Sequence, residues 1–222
     1  MAPRPAELEL LLPLAAAPAD ERWLSLAGKR AIDVVLGALL LVLASPLLVA
    51  LALVVRWTSP GPSFFWQTRV GRYGERFRML KLRTMRAGAE SLEEQLGEQR
   101  ASSVFFKIDQ DPRVTPIGRF LRRSSLDELP QLVNVLRGEM SLVGPRPVLE
   151  RDLERMPAGR CRRRFLMRPG MTGLWQVSGR SLLSDEDRLR LDLDYVQTWS
   201  LRVDGGILVR TLPAVVSARG AF

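Results

Sequence analysis

The 222-residue chain contains no histidine. That excludes a His general base, a His-ligated metal and a Ser-His-Asp triad. It contains one cysteine, Cys161, so no internal disulfide can form, and the polar part fits a reducing, cytoplasmic setting. With no histidine to pair with it, the thiol reads as incidental rather than nucleophilic. Lysine is also scarce. Of 33 basic residues only Lys29, Lys81 and Lys107 are Lys; the rest are Arg, the permanently charged fork that suits phosphate. A bias toward Arg codons is the competing explanation. Acidic residues are too few to balance the charge, which is +9. Charged residues nonetheless make up 26% of the chain, which argues against a many-helix membrane channel. Glu7 and Glu9 stand where a signal peptide carries positive charge, so residues 1–28 read as a loose or partly helical tail.

There is one long apolar run, "AIDVVLGALLLVLASPLLVALALVV", residues 31–55, with a single charge at Asp33. It is long enough to span a bilayer. Two features oppose a straight span. Lys29 and Arg30 precede it, and from Arg56 to Arg86 eight positive charges face one negative, Glu75. Both flanks therefore belong in the cytoplasm. The second feature is Ser45-Pro46, because Pro46 removes a backbone donor and crowds the preceding turn. The arms on either side would reach about 21 Å and about 14 Å as helices. Neither crosses a hydrocarbon core of about 30 Å. A helix broken at Ser45-Pro46, entering and leaving on one side, satisfies both features, with the Ser45 hydroxyl covering a carbonyl freed by Pro46. A tilted span with a proline kink is the alternative on composition alone.

After Pro60-Gly61-Pro62 the chain becomes soluble in character. Residues 63–85 alternate apolar and basic around Gly71 and Gly74, as a short strand pair does. Residues 86–103 read as a helix or a charged loop. Residues 117–137 carry helical periodicity interrupted near 124–130, and 168–180, "RPGMTGLWQVSGR", read as a Gly-rich loop. Helical spacing returns over 185–199, and an apolar helix-like stretch interrupted by Pro213 covers 207–216.

Chemistry concentrates in "RRSSLDELPQLVNVLRGEMSLVGPRP", residues 122–147. Asp127 and Glu128 are adjacent carboxylates just before Pro130, a residue favoured in the first turn of a helix. Ser125 and Glu128 also match a capping box, and Asp127 could itself be an N-cap. The neighbours favour chemistry: Arg122 and Arg123 before the pair, Arg146 held between two prolines after it, and Lys81 and Arg83 in "LKLRTM". Carboxylates with several arginines and no histidine suit Mg²⁺-assisted phosphoryl chemistry. A hard cation takes carboxylate and phosphate oxygens, and guanidinium forks take the rest. A carboxylate can also attack phosphorus directly.

"SPGP", "KLRTM", "RRSSLDELPQLVNVLRGEMSLVGPRP", "RPGMTGLWQVSGR" and the terminal "D…DYV…SLRVD…IL…T" together resemble the bacterial sugar transferases, the monotopic phosphoglycosyl transferases. The resemblance runs from Lys29 to about Val216. It implies transfer of a sugar-1-phosphate from a UDP-sugar to polyprenyl (undecaprenyl) phosphate with release of UMP, at the start of exopolysaccharide, capsule or O-antigen assembly. It implies a mixed α/β, mostly helical fold divided into a tail (1–28), a re-entrant membrane helix broken at Ser45-Pro46 (29–56) and a cytoplasmic catalytic domain (57–222). Asp127 matches the nucleophile that carries a phosphosugar, and Glu128 a Mg²⁺ ligand. Lys81, Arg122 and Arg146 match phosphate or phosphosugar contacts.

The expected location is the cytoplasmic face of the bacterial inner membrane, against anionic lipids that the basic stretch 56–86 attracts. A homodimer is left open. A nucleic-acid partner is not expected, because the apolar anchor beside the basic stretch directs that charge to a membrane. A membrane-bound phosphatase or pyrophosphatase with an aspartyl nucleophile and a non-catalytic membrane scaffold are the rival readings.

Overall fold

The computed structural model describes residues 19–86, 88–89, 111–156 and 160–216. Helix α1, Ala19–Thr58, is the longest element. The hairpin β1 (Phe64–Val70) and β2 (Arg76–Leu82) follows, paired antiparallel from Phe64 opposite Leu82 to Val70 opposite Arg76. Its turn holds Tyr73 and Gly74 at positive φ, so the strand pair read from the alternation is present. Helix α2 (Pro116–Ser124), a 3₁₀ segment (Leu126–Gln131) and α3 (Leu132–Arg137) reproduce the interrupted periodicity of 117–137. Strand β3 (Ser141–Val143), α4 (Glu150–Arg155) and β4 (Gly170–Thr172) come next, with β3 and β4 parallel. Helices α5 (Leu174–Ser178), α6 (Asp185–Thr198) and α7 (Leu201–Val216) close the chain.

The fold is therefore mostly helical with two small sheets, as expected. Three details differ. The "Gly-rich loop" 168–180 is β4 followed by α5 and a 3₁₀ turn. Its Gly170 permits a close crossing, since a Cβ there would sit 2.1 Å from the Gly144 backbone nitrogen. The terminal helix starts at Leu201 and runs through Pro213 rather than being interrupted there. Residues 19–28 are helical and continuous with the apolar run. Most of 86–103 and residues 1–18 lie outside the described residues, as does the side chain of Cys161.

Helix α1 is long and apolar enough to cross a membrane. Helical assignment runs through Pro46, so the chain makes no break at Ser45-Pro46 in which it leaves the helix. The physical reason is local. Pro46 lacks the N–H that would bond to the Val42 carbonyl four residues back. The Ser45 hydroxyl donates to that carbonyl at 2.8 Å instead. The freed acceptor is satisfied and the helix continues.

One face of α1 is tied to the rest of the chain along its length. Lys29 Nζ donates to Asp204 Oδ2 at 2.6 Å and to the Val143 carbonyl at 3.0 Å. Arg30 donates to the last carbonyls of α3, at Val135 (2.7 Å) and Leu136 (2.9 Å). Cations are favoured at a helix C-terminus. Asp33, the lone charge of the apolar run, is buried and accepts from Ser141 Oγ and the Leu142 N–H, both at 3.0 Å. About four turns later, Leu48, Leu51 and Val55 pack on Leu82 and Leu121. The other face exposes Val35, Val42, Leu43, Val49 and Trp57. The main core lies under this helix, where Met79, Leu132, Val135, Met140, Leu142, Val143 and Tyr195 meet. Burying each such side chain contributes about 1.5–3 kcal/mol.

Candidate active site

The site forms where the 3₁₀ segment crosses β2. Ser125 ends α2 in the left-handed conformation, φ 58°, and turns the chain. Its side chain caps nothing, and Asp127 lies inside the 3₁₀ run rather than at an N-cap. The capping readings of Ser125, Asp127 and Glu128 are thus overturned: a left-handed residue cannot aim its hydroxyl at the following N–H groups as an extended N-cap does. Asn134 fixes the segment over the strand. It is fully buried, accepts from the Leu80 N–H at 3.0 Å and donates to the Arg78 carbonyl at 2.8 Å.

The two carboxylates have different surroundings. Glu128 Oε1 accepts from Lys81 Nζ at 2.9 Å and from Arg146 Nη2 at 2.5 Å; Oε2 accepts a long bond from Arg146 Nη1, 3.3 Å. Burial would raise the Glu128 pKa, but Arg146 and Lys81 outweigh it and hold the carboxyl well below its usual range. In return Glu128 raises Arg146. Burial lowers Lys81, against the opposing pull of Glu128 and Asp127. Asp127 is also buried, yet it makes no hydrogen bond or ion pair among the described residues. Burial pushes it up to about 6, against Lys81, with the Glu128 charge adding to the rise. Perturbed carboxylates of this kind cluster at functional sites.

The other predicted cation is close by. Arg122 Nε donates to Thr84 Oγ1 at 2.9 Å, and its charge acts on Asp127. Lys81, Arg122 and Arg146, from β2, α2 and the loop after β3, thus surround the carboxylate pair. Ser45 lies on α1 and belongs to the anchor, as does Pro46. The carboxylate pair also fits Mg²⁺ by donor chemistry. Such an ion is held by one or two carboxylates together with substrate phosphates, and Asp127 and the weakly engaged Oε2 of Glu128 supply those.

Sequence reading missed two contributors. Arg69, on β1, is pushed down to about 10 by burial and by Arg146. It donates to Gln67 Oε1 and to the Pro147 carbonyl. Its place on the alternating strand carried a signal, facing the same hairpin as Lys81. Arg164 comes from the "CRRRF" run, where nothing separated it from its neighbours. Its side chain is 1% exposed, as is that of Asp192, and the two meet at 2.5 Å. Arg164 also donates to the Arg146 carbonyl at 2.7 Å. It thereby holds the backbone of the residue that holds Glu128.

Paired carboxylates walled by fixed guanidinium and ammonium groups, beside a helix long and apolar enough to cross a membrane, form a site whose chemistry suits phosphate esters. Comparison with known proteins is more specific: the family model for bacterial sugar transferases matches residues 24–218, and the chain belongs to that family of transferases. It is 44% identical over 205 residues to the Exopolysaccharide production protein ExoY of Rhizobium meliloti, covering 88% of each chain. It is 47% identical over 199 residues to the UDP-galactose-lipid carrier transferase of Erwinia amylovora, covering 87% of this chain and 41% of the relative. It is 43% identical over 204 residues to the UDP-glucose:undecaprenyl-phosphate glucose-1-phosphate transferase of Caulobacter vibrioides, covering 87% of this chain and 72% of the relative.

Proposed function

We propose that this transferase moves a sugar-1-phosphate from a UDP-sugar to undecaprenyl phosphate, releases UMP, and so starts assembly of an exopolysaccharide-type glycan. The observation that carries the reading is Asp127: buried, unpaired and next to a carboxylate already neutralised by Lys81 and Arg146. The activities for which the relatives are named support the substrate classes.

The chemistry follows from positioning and charge neutralisation, which phosphoryl transfer mainly requires. Lys81, Arg122 and Arg146 draw the negative charge off the donor diphosphate. An Asp127 oxygen attacks the sugar-bearing phosphorus. The bond from that phosphorus to the bridging oxygen breaks, and UMP leaves with the electron pair. A polyprenyl phosphate oxygen then attacks the same phosphorus, its bond to Asp127 breaks, and the carboxylate is restored. Asp127 and Glu128 would hold a Mg²⁺ ion, which when bound supplies further neutralisation of phosphate charge.

In this reading the site sits at the cytoplasmic headgroup level, and the docking of α1 supports it. Lys29 and Asp33 near one end of α1, and Leu51 and Val55 near the other, all contact the polar domain. A helix docked at both ends on one polar body does not pass through about 30 Å of hydrocarbon. It lies in the membrane face with Val35, Val42, Leu43 and Trp57 toward lipid. The basic stretch 56–86 adds attraction to anionic lipids, about 1 kcal/mol per cation near the surface. The test is UMP release from a panel of UDP-sugars with and without undecaprenyl phosphate. Release sustained without acceptor would identify a hydrolase, and no release from any UDP-sugar would remove the donor assignment.

A further inference from the structure

Arg180 closes the "GLWQVSGR" stretch, and the proposed chemistry gives it no role. Its backbone is left-handed, φ 53°, directly after Gly179 at φ 154°. A side chain larger than glycine's is uncommon in that conformation and is held there only by its surroundings. The guanidinium explains why it is held. Its Nη1 is buried and has no hydrogen-bond partner. A buried guanidinium nitrogen left unpaired is costly, and an anion arriving there removes the cost.

The location is set by short, packed elements. Arg180 follows α5, whose preceding Gly173 meets the loop that carries Arg146: a Cβ on Gly173 would sit 2.3 Å from the Gly144 carbonyl oxygen. Five helical residues, about 7.5 Å, separate that crossing from Gly179. The Arg180 charge bears on Glu128 and Arg146, while the charges that bear most on Asp127 are Lys81, Glu128, Arg122 and Arg146. Arg180 therefore lies within electrostatic reach of Glu128 and Arg146, next to the loop that carries Arg146. Burial also lowers its pKa, as expected of a cation without a fixed counter-charge.

We propose that Arg180 is a phosphate ligand of this site that grips the nucleotide-side phosphate of the donor, the one that departs with UMP. This rests on the transferase reading above. The sugar-bearing phosphorus must lie at Asp127, among Lys81, Arg122 and Arg146. The second phosphate of the same diphosphate then extends toward the loop that carries Arg146, next to which an unpaired guanidinium waits. Bound there, Arg180 neutralises the charge that builds on the leaving oxygen as the bridging bond breaks. The same phosphate chemistry could come from the polyprenyl phosphate acceptor, and the experiment separates the two sources.

The experiment uses Arg180→Gly, Arg180→Gln and Arg180→Lys in the full-length, membrane-reconstituted protein. Arg180→Gly relieves the left-handed backbone while deleting the guanidinium, so its melting temperature should equal or exceed that of the unsubstituted protein. UMP release is measured against UDP-sugar without acceptor, then against undecaprenyl phosphate at saturating donor. The half-saturating donor concentration should rise about ten- to a hundredfold in the Gly and Gln variants, the scale of one charged hydrogen bond. The Lys variant should lie between. The acceptor dependence should stay within about twofold. UDP binding measured by calorimetry should weaken in parallel, and it reads Arg180 even if the unsubstituted protein releases no UMP, an outcome that would instead overturn the transferase reading. Unchanged donor and UDP affinity with a lowered melting temperature would make Arg180 a purely structural residue. A shift confined to the acceptor would overturn the donor assignment.

Discussion

The buried pair Arg164–Asp192 is where packing and chemistry meet most directly, and it yields a prediction with opposite outcomes for stability and activity. Both side chains are 1% exposed, and Arg164 also supplies the donor to the Arg146 carbonyl. Arg164→Met strands the Asp192 carboxylate away from water, at a cost of about 3–5 kcal/mol. Asp192→Leu strands the guanidinium at a similar cost. The double variant removes both charges and fills their space with apolar groups, which is often close to neutral. What remains are the Arg146 carbonyl and the Arg146 N–H that donates to Asp192, both left unpaired at about 1–3 kcal/mol each. The cycle should therefore be strongly non-additive, with the double variant more stable than either single one. For a chain of this size 1 kcal/mol moves the melting temperature by about 2–4 °C. The single variants should fall by roughly 6–20 °C, and the double variant should recover part of that. Activity should not recover. Arg146 has lost its backbone tether in every variant containing Arg164→Met, so UMP release should stay depressed. Calorimetry and single-turnover UMP release on the same preparations give both readings. Additive losses of stability, or full activity in the double variant, would refute the tether.

The remaining predictions concern the site and the anchor. Asp127→Asn should abolish UMP release, and mass spectrometry of the unsubstituted protein after exposure to UDP-sugar should find a phosphosugar on Asp127; full activity in the variant would end the nucleophile assignment. Because burial raises Asp127 to about 6 from an ordinary value near 3.8, its ionised form costs the fold about 3 kcal/mol. That stability is fully present below the ordinary value and is lost as pH rises through about 6, so metal-free Asp127→Asn should lack this decline, a point pH-dependent melting decides. Arg146→Lys keeps a charge but loses the two-pronged hold on Glu128, and activity should drop at least tenfold; unchanged kinetics would make Arg146 a bystander. Glu128→Gln should raise the Mg²⁺ concentration needed for half-maximal rate, and an identical titration would remove Glu128 as a ligand. For the anchor, Ala2→Cys in a Cys161→Ser background should react with impermeant thiol reagents only after the inner membrane is opened. Labelling of that cysteine from outside intact cells would exclude a one-sided anchor.

The sequence by itself determined the elements and the chemical inventory. Period-2 alternation located the β1–β2 hairpin, period-3.6 spacing located α2, α3 and α6, and the absence of histidine left carboxylates and arginines as the reactive groups. It also paired Ser45 with Pro46, since a missing N–H and the hydroxyl that replaces it lie within one turn. What it left open depended on distance through space. Asp33 looked like a charge in lipid until β3 supplied its partners across more than a hundred residues. Arg164 was one of several arginines in a run until Asp192 and the Arg146 carbonyl singled it out. Asp127 and Glu128 are chemically near-identical neighbours in the chain. Only the tertiary structure gave one of them two cations and left the other buried without a partner among the described residues, because burial and charge are properties of the surroundings and not of the residue.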